Sequence, residues 1–283
     1  MNESTVPGHH STEERIDQVV EYLKNINGVL VAYSGGVDSS TLAALAHMAL
    51  GERCVAVTAE GQTLPARELE SSRSTARSLG IRHIIIPYNE LDEPEFANNP
   101  VDRCYHCKNG LFRELKKLAS EMGLEAVAEG TNASELTGHR PGHKAAIENG
   151  ILTPFADLGI NKNEIRQMAK YLGLSIWDKP QLACLSSRFP YGRTITVQGL
   201  QKVEKAEDYL FNLGVSQCRV RDHEDIARIE VSGDDLHIIL KYRDDIVSVF
   251  KELGYTYITL DLEGFRSGSF DIAIKTGTRA ELR

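Results

Sequence analysis

Val29-Leu30-Val31-Ala32-Tyr33-Ser34-Gly35-Gly36-Val37-Asp38-Ser39-Ser40-Thr41 decides the fold. Residues Val29 to Tyr33 form a short apolar run of the kind that fills a parallel strand covered on both faces. Residues Thr41 to Leu50 read as a helix. Ser34 to Ser40 lie where the strand turns into that helix. Gly35 and Gly36 let the backbone approach a ligand and take conformations closed to larger residues. Free N–H groups at the helix start, with the hydroxyls of Ser34, Ser39 and Ser40, form a nest for an anion. The charge of Asp38 would repel phosphate there, which implies Mg²⁺ held by Asp38 and bridging phosphate oxygens. The plain alternative is a glycine turn capped by serine and aspartate. The strand before it and the helix after it favour phosphate binding, and the missing lysine excludes a Walker-type loop.

Strand and helix patterns alternate outward from this turn. Glu13 to Lys24 is an amphipathic helix with Ile16, Val19, Val20 and Leu23 on one face. Further strands are expected at Cys54–Thr58, His83–Pro87 and Glu125–Ala128, with helices at Pro65–Leu79 and Lys108–Met122 between them. That alternation predicts an α/β domain, a parallel sheet with helices on both faces. After about Pro190 the rhythm changes. A helix at Gln198–Leu213, strands at Ser216–Arg221 and Ala227–Val231, helical stretches from about Asp234 to Leu253 and a strand at Tyr257–Leu260 predict a small α+β unit. The expected division is 1–190, 191–275 as a substrate or oligomerisation domain, and a loose polar tail at 276–283.

Composition narrows the function. The chain has 283 residues, ordinary hydrophobic and charged fractions, and a formal net charge of −8. An acidic balance argues against a broad nucleic-acid surface, though not against a local basic pocket. No run approaches the length of a membrane span, and Met1 to Thr12 lack the features of a secretion signal. A cytoplasmic protein is therefore expected, with no membrane partner.

Five cysteines do not suggest a disulfide framework. Cys104 and Cys107 form a Cys-x-x-Cys unit at an expected helix start, where Arg103 and Lys108 favour thiolates. Cys184 lies far along the chain. If the fold brought it to the same strand ends, three thiolates could hold a [4Fe-4S] cluster with one iron open. The rivals are a structural zinc site using His106 as fourth ligand, a redox dithiol, and a lone reactive Cys184. Cys54 is expected in the core, and Cys218 is expected to point inward.

Arg188, Arg193, Arg219 and Arg221 stand against the acidic background. Arg219 and Arg221 are two apart on an expected strand and share one face. Guanidinium forks suit phosphate or carboxylate. With Ser186-Ser187-Arg188 beside Cys184 they predict a substrate pocket, into which Glu207 could face as base or metal ligand. Salt bridges with Asp222, Glu224 and Glu230 are the alternative.

The Ser34–Ser40 segment resembles the SGGxDS signature of PP-loop ATP pyrophosphatases, a likeness covering approximately residues 10–190. The resemblance implies cleavage of ATP between its α- and β-phosphates, with adenine near Thr58 and near Gly130-Thr131-Asn132. The crevice at the carboxyl ends of parallel strands is where ligands bind in such sheets. Taken with Asn99–Cys104, Gly130–Asn132, Arg140-Pro141-Gly142, Ala183–Arg188, Arg219–Arg221 and Ala227–Glu230, the chain resembles one branch. That branch is the LarE-type sulfur transferases of nickel-pincer nucleotide assembly, which make the cofactor of lactate racemase.

That resemblance implies a small-molecule nucleotide substrate, pyridinium-3,5-biscarboxylic acid mononucleotide, and ATP with Mg²⁺. It implies adenylation of a carboxylate followed by displacement of AMP by sulfur. Some members sacrifice one cysteine equivalent or near to Cys184. The additional Cys104 and Cys107 resemble the cluster-bearing variant instead. A homo-oligomer and contact with other nickel-pincer assembly proteins are expected from the same likeness. Runner-up readings are a tRNA thiolase, an ammonia-using amide synthetase, and a nucleotide-binding regulator with zinc.

Overall fold

The computed structural model describes residues 10–136, 141–180 and 183–266. These fall into two compact units. One comprises Met1–Asn89 with Cys104–Leu182, and the other Glu90–Arg103 with Ala183–Arg283. The expected tail at 276–283 and Arg140 of the Arg-Pro-Gly motif lie outside the described residues.

The first unit opens with α1 (Thr12–Lys24), started by a reciprocal capping box between Ser11 and Glu14. Strand β1 (Val29–Ala32) leads into α2 (Val37–Leu50), followed by β2 (Cys54–Glu60), α3 (Ala66–Ser78) and β3 (Arg82–Pro87). A short α4 (Pro94–Ala97) belongs to the second unit. It precedes α5 (Arg103–Glu121), β4 (Ala126–Ala128), α6 (Pro141–Glu148), α7 (Pro154–Asp157) and α8 (Lys162–Tyr171). Strand order is β3-β2-β1-β4, and every pair is parallel.

Period-2 alternation along β1 explains the two layers of helices. Val29 and Val31 pack with Leu23, Leu42, Leu45, Ile165 and Met168 on one face. Leu30 points the other way, into a core with Val55, Val57, Phe112, Leu115 and Val127. Strand order reverses at β1, since β2 lies on one side and β4 on the other. The carboxyl ends of β1 and β4 therefore flank the switch point where open α/β sheets bind ligands.

Two helix starts differ from the expected ones by four residues or more. Helix α2 begins at Val37 instead of Thr41, so Val37 to Ser40 already form its first turn. Helix α5 begins at Arg103 instead of Lys108, which puts both Cys104 and Cys107 inside the helix. Helix α8 was not anticipated. Its signals are an Asn161/Glu164 capping box and buried Ile165, Met168 and Ala169 at helical spacing.

The second unit holds α9 (Val197–Asn212), β5 (Cys218–His223), β6 (Ile226–Val231), α10 (Leu236–Lys241), α11 (Arg243–Glu252) and β7 (Tyr257–Leu260). Strands β5 and β6 pair antiparallel, and β7 runs parallel to β6. Val220, Ile229 and Val231 bury one sheet face against Ala206 and Leu210 of α9 and Phe250 of α11. Arg219 and Arg221 alternate with Val220 and occupy the opposite face.

Among the described residues no helix is long and apolar enough to cross a membrane.

Candidate active site

The turn after β1 is shaped to leave backbone donors open. Gly35 has φ +71, and a Cβ there would lie 2.7 Å from Ser72 Cα. Only glycine meets both demands. Gly36 caps α2 with extended backbone and receives no side-chain cap. The first-turn N–H groups have no intrahelical acceptors, and together with the helix dipole they favour an anion. Ser39 is buried, and its Oγ accepts from Ser34 N at 3.2 Å and lies 3.1 Å from Ser34 Oγ. Ser34 is exposed at the mouth. Ser40 turns inward, its Oγ donating to Tyr33 Oη at 3.3 Å.

Asp38 is answered by a lysine that the sequence reading missed. Lys162, the first residue of α8, places Nζ 2.7 and 2.6 Å from the two Asp38 oxygens. The cation absent from the loop itself thus arrives from the start of another helix. Asn132 Nδ2 lies 3.5 Å from Asp38 Oδ2, and the buried Asn132 Oδ1 has no hydrogen bond among the described residues. An orphaned buried oxygen beside an uncapped helix start fits a site built for an added donor or cation. The residues fit ATP and Mg²⁺, with Asp38 as the carboxylate that would hold the metal.

Gly130 closes the other wall. A Cβ on it would meet Asp38 C at 2.9 Å and Ser39 N at 3.0 Å, so this backbone lies directly on the start of α2. Buried Glu129 accepts from Lys108 Nζ at 2.6 Å and from Thr131 Oγ1 at 2.7 Å. Thr58 is buried at the end of β2. Its Oγ1 donates to Tyr33 O at 2.7 Å and lies 2.8 Å from His83 Nε2. The Thr58 hydroxyl therefore ties three strands together at the crevice. Burial, reinforced by the nearby Arg73 charge, pushes the His83 pKa below its usual value.

The cysteines divide by accessibility. Cys54 and Cys218 are buried, as their apolar settings suggested, whereas Cys104 and Cys184 are exposed and Cys107 is half-buried. All five are thiols. Cys104 and Cys107 sit three residues apart at the start of α5, which puts them on one helix face. Cys184 caps a 3₁₀ turn at Leu185–Arg188, with Sγ 2.8 Å from Ser186 Oγ. Three accessible thiols suit an iron–sulfur group chemically. As positioned, no group of three or more His, Cys, Asp and Glu among the described residues could hold a metal ion.

In the second unit the arginines are not equivalent. Arg188 forms a buried bidentate pair with Glu207, at 2.8 Å for both Nε–Oε1 and Nη2–Oε2. Its Nη1 also donates to the carbonyls of Ala183 and Cys184 at 2.8 and 3.2 Å, fixing the backbone that carries Cys184. Burial would lower the Arg188 pKa, but the Glu207 carboxylate outweighs it and the net shift is upward. Glu207 also accepts from Val220 N at 2.9 Å. Arg221 pairs with Glu230 at 2.8 Å and donates to Ser187 O at 2.6 Å. Ser187 Oγ accepts from Arg188 at 2.9 Å, and Arg193 pairs with Asp222.

Arg219 differs. It is 6% exposed and lies 4.7 Å over the Phe265 ring. Among the described residues it makes no ion pair. Burial, with the charges of Arg188 and Arg221, brings its pKa down to about 10. Arg188 with Glu207 and Arg221 with Glu230 thus form a frame of paired charges, and Arg219 beside it has no ion pair among the described residues.

Residues 10–181 match the NAD synthase family. The chain is 41% identical over 261 residues to an uncharacterized protein of Synechocystis, spanning 92% of this chain and 97% of that one. It is 35% identical over 265 residues to the pyridinium-3,5-bisthiocarboxylic acid mononucleotide synthase of Lactiplantibacillus plantarum, spanning 93% and 95% of the two chains. To the tRNA-specific 2-thiouridylase MnmA of Rickettsia peacockii it is 28% identical over 188 residues, spanning 54% of this chain and 52% of that one. With the glycine-bounded phosphate loop on a parallel sheet, these matches define the class: the chain is an enzyme of the ATP-using PP-loop family to which NAD synthase belongs. Within that family it falls in the LarE-type branch, which the L. plantarum synthase represents.

Proposed function

We propose that this enzyme adenylates the carboxylates of pyridinium-3,5-biscarboxylic acid mononucleotide and converts them to thiocarboxylates. The observation that carries the reading is Arg219, a buried guanidinium with no ion pair among the described residues. A substrate bearing two carboxylates and a phosphate supplies the anion that this position needs. The uncapped start of α2 supports the nucleotide half of the reaction, and the likeness to the L. plantarum synthase supports the substrate.

The chemistry balances without a redox step. A substrate carboxylate oxygen attacks the α-phosphorus of ATP, and the bond to the bridging oxygen breaks to release pyrophosphate. The N–H groups of α2 and Lys162 stabilise charge on the phosphates, and Asp38 would hold Mg²⁺ against them. Sulfur then attacks the acyl carbon of the mixed anhydride, and AMP leaves with the C–O electron pair. Arg219 binds the substrate, while Ser187, Arg188, Glu207 and Arg221 shape the wall that carries it. Thr58, Gly130, Thr131 and Asn132 line the nucleotide crevice with Ser34–Ser40.

Cys104, Cys107 and Cys184 are the thiolates that would hold a [4Fe-4S] cluster, whose open iron would supply sulfide. Their accessibility, against the burial of the other two cysteines, supports this assignment. The alternative is that Cys184 gives up its own sulfur, with cleavage of the Cβ–S bond, loss of the Cα proton and dehydroalanine left behind. The reading further places the enzyme in the cytoplasm as a homo-oligomer, working with other nickel-pincer assembly proteins and without membrane or nucleic acid.

Anaerobic incubation with ATP, Mg²⁺ and the dicarboxylate nucleotide, followed by mass spectrometry of product and protein, tests both levels. Exchange of oxygen for sulfur in the small molecule supports the reaction, and an unaltered product rejects it. Iron and labile sulfide with an unchanged polypeptide mass support the cluster. Dehydroalanine at residue 184 supports sacrifice.

A further inference from the structure

Lys108 follows directly on the Cys-x-x-Cys unit, and Gly142 belongs to the Arg-Pro-Gly motif. Neither has a role in the adenylation scheme above. Both belong to one arrangement inside the first unit.

Lys108 stands in the second turn of α5, four residues beyond Cys104 and next to Cys107. Its Nζ reaches Glu129 Oε2 at 2.6 Å. A Cβ on Gly142 would lie 2.9 Å from Lys108 Cδ. The lysine stem therefore occupies the space that a side chain at 142 would take, and its direction is set on both sides. Glu129 is 6% exposed, and its second oxygen accepts from Thr131 Oγ1 at 2.7 Å. The next residue, Gly130, lies against the backbone of Asp38 and Ser39, at the approach distances given above. Two residues further on, Asn132 touches Asp38. A continuous path of polar contacts and close packing thus runs from the phosphate loop through residues 129–132 to Lys108 and the cysteine-bearing turn.

The far end of that path is the N-terminal end of α5. First-turn N–H groups lack intrahelical acceptors, and helix ends exchange through local openings that cost little. Tyr88 Oη holds the Cys107 carbonyl at 3.1 Å, and the Lys108–Glu129 ion pair holds the residue after it. Seating a triphosphate on α2, with a cation drawing on Asp38, changes what Asn132 and Gly130 rest against. Glu129 and Lys108 carry that change to the thiols.

We propose that Lys108 and Glu129 are positioning residues that couple nucleotide occupancy to the order of the Cys104–Cys107 turn, so that the thiols are set when ATP is bound. This deepens the reading of the Ser34–Ser40 loop as a nucleotide site and rests on it.

The test is hydrogen–deuterium exchange on the full chain as purified, with and without the non-cleavable analogue α,β-methylene-ATP and Mg²⁺. In the unsubstituted protein the analogue slows exchange in the peptide spanning the first turns of α5 by about five-fold or more. Lys108→Met and Glu129→Gln bind the analogue within about three-fold of the original affinity but show a change below about two-fold. Lys108→Arg keeps the response. Should a single variant fold poorly, the double variant Lys108→Met/Glu129→Gln removes both charges and leaves no unpaired buried carboxylate; it too must lose the response.

The proposal is overturned if the bound analogue leaves the α5 peptide unchanged in the unsubstituted protein, or if the variants retain the full response. It is equally overturned if Lys108→Met abolishes analogue binding, which would make Lys108 a nucleotide contact. An unsubstituted protein that fails to bind the analogue at all defeats the nucleotide-site reading itself, an outcome distinct from the others.

Discussion

Replacing Arg219 with methionine separates a binding arginine from a structural one. In the folded protein its pKa is held down to about 10 from 12.5, with burial as the larger cause and Arg188 and Arg221 behind it. That depression corresponds to roughly 3 kcal/mol of unfavourable charge energy, which partial solvent screening reduces to about 1–2 kcal/mol. Arg219→Met removes the charge and keeps a flexible apolar stem over Phe265. Its lost contacts offset part of the gain, so the stability change should lie between no effect and a rise of about 1 kcal/mol, against the usual destabilisation by a buried substitution. The anionic substrate loses a charge-assisted contact of about 2–3 kcal/mol, or about 30–150-fold in KM. Urea unfolding and steady-state kinetics at varied dicarboxylate nucleotide measure the two quantities. A variant that loses more than about 2 kcal/mol of stability while KM stays unchanged would refute the assignment.

The partner residues should behave in the opposite way. Glu207→Ala leaves Arg188 buried without its carboxylate and should cost about 3–5 kcal/mol in urea unfolding; a loss below about 1 kcal/mol would contradict the buried pair. Gly35→Ala puts a Cβ against Ser72 at positive φ and should destabilise by at least about 2 kcal/mol, with weaker ATP binding by calorimetry. His83 has a folded pKa below its usual 6.5, so the unfolded chain binds the proton more tightly. Its contribution to stability is therefore complete above about pH 6.5 and falls as the pH drops towards the folded value. Urea midpoints at pH 7.5 and 5.5 should fall less steeply in His83→Gln than in the unsubstituted protein, and equal slopes would remove His83 from the account.

The fold was legible where one local signal decided it. The apolar run at Val29–Val31 and the alternation of strand and helix patterns pointed to the parallel sheet, because a strand buried on both faces favours an unbroken apolar run. Helix starts were less legible. Thr41 and Lys108 were chosen from side-chain character, whereas Gly36 and the turn at Pro100–Asp102 set the real starts through backbone geometry. Lys162 was missed because its meeting with Asp38 spans 124 positions of sequence, and no local pattern encodes so distant a pair. The arginine cluster was visible as composition, but which members are neutralised was not. That distinction depends on Glu207 reaching Arg188 from α9 and on Glu230 reaching Arg221 from β6.

The central claim is that a carboxylate of the substrate attacks the α-phosphorus of ATP. Single-turnover assay of nucleotide products, with and without the pyridinium dicarboxylate, addresses it most directly. The account predicts AMP and pyrophosphate in equal amounts, formed only when the dicarboxylate is present. Formation of ADP and orthophosphate, or pyrophosphate release indifferent to that acceptor, would contradict it.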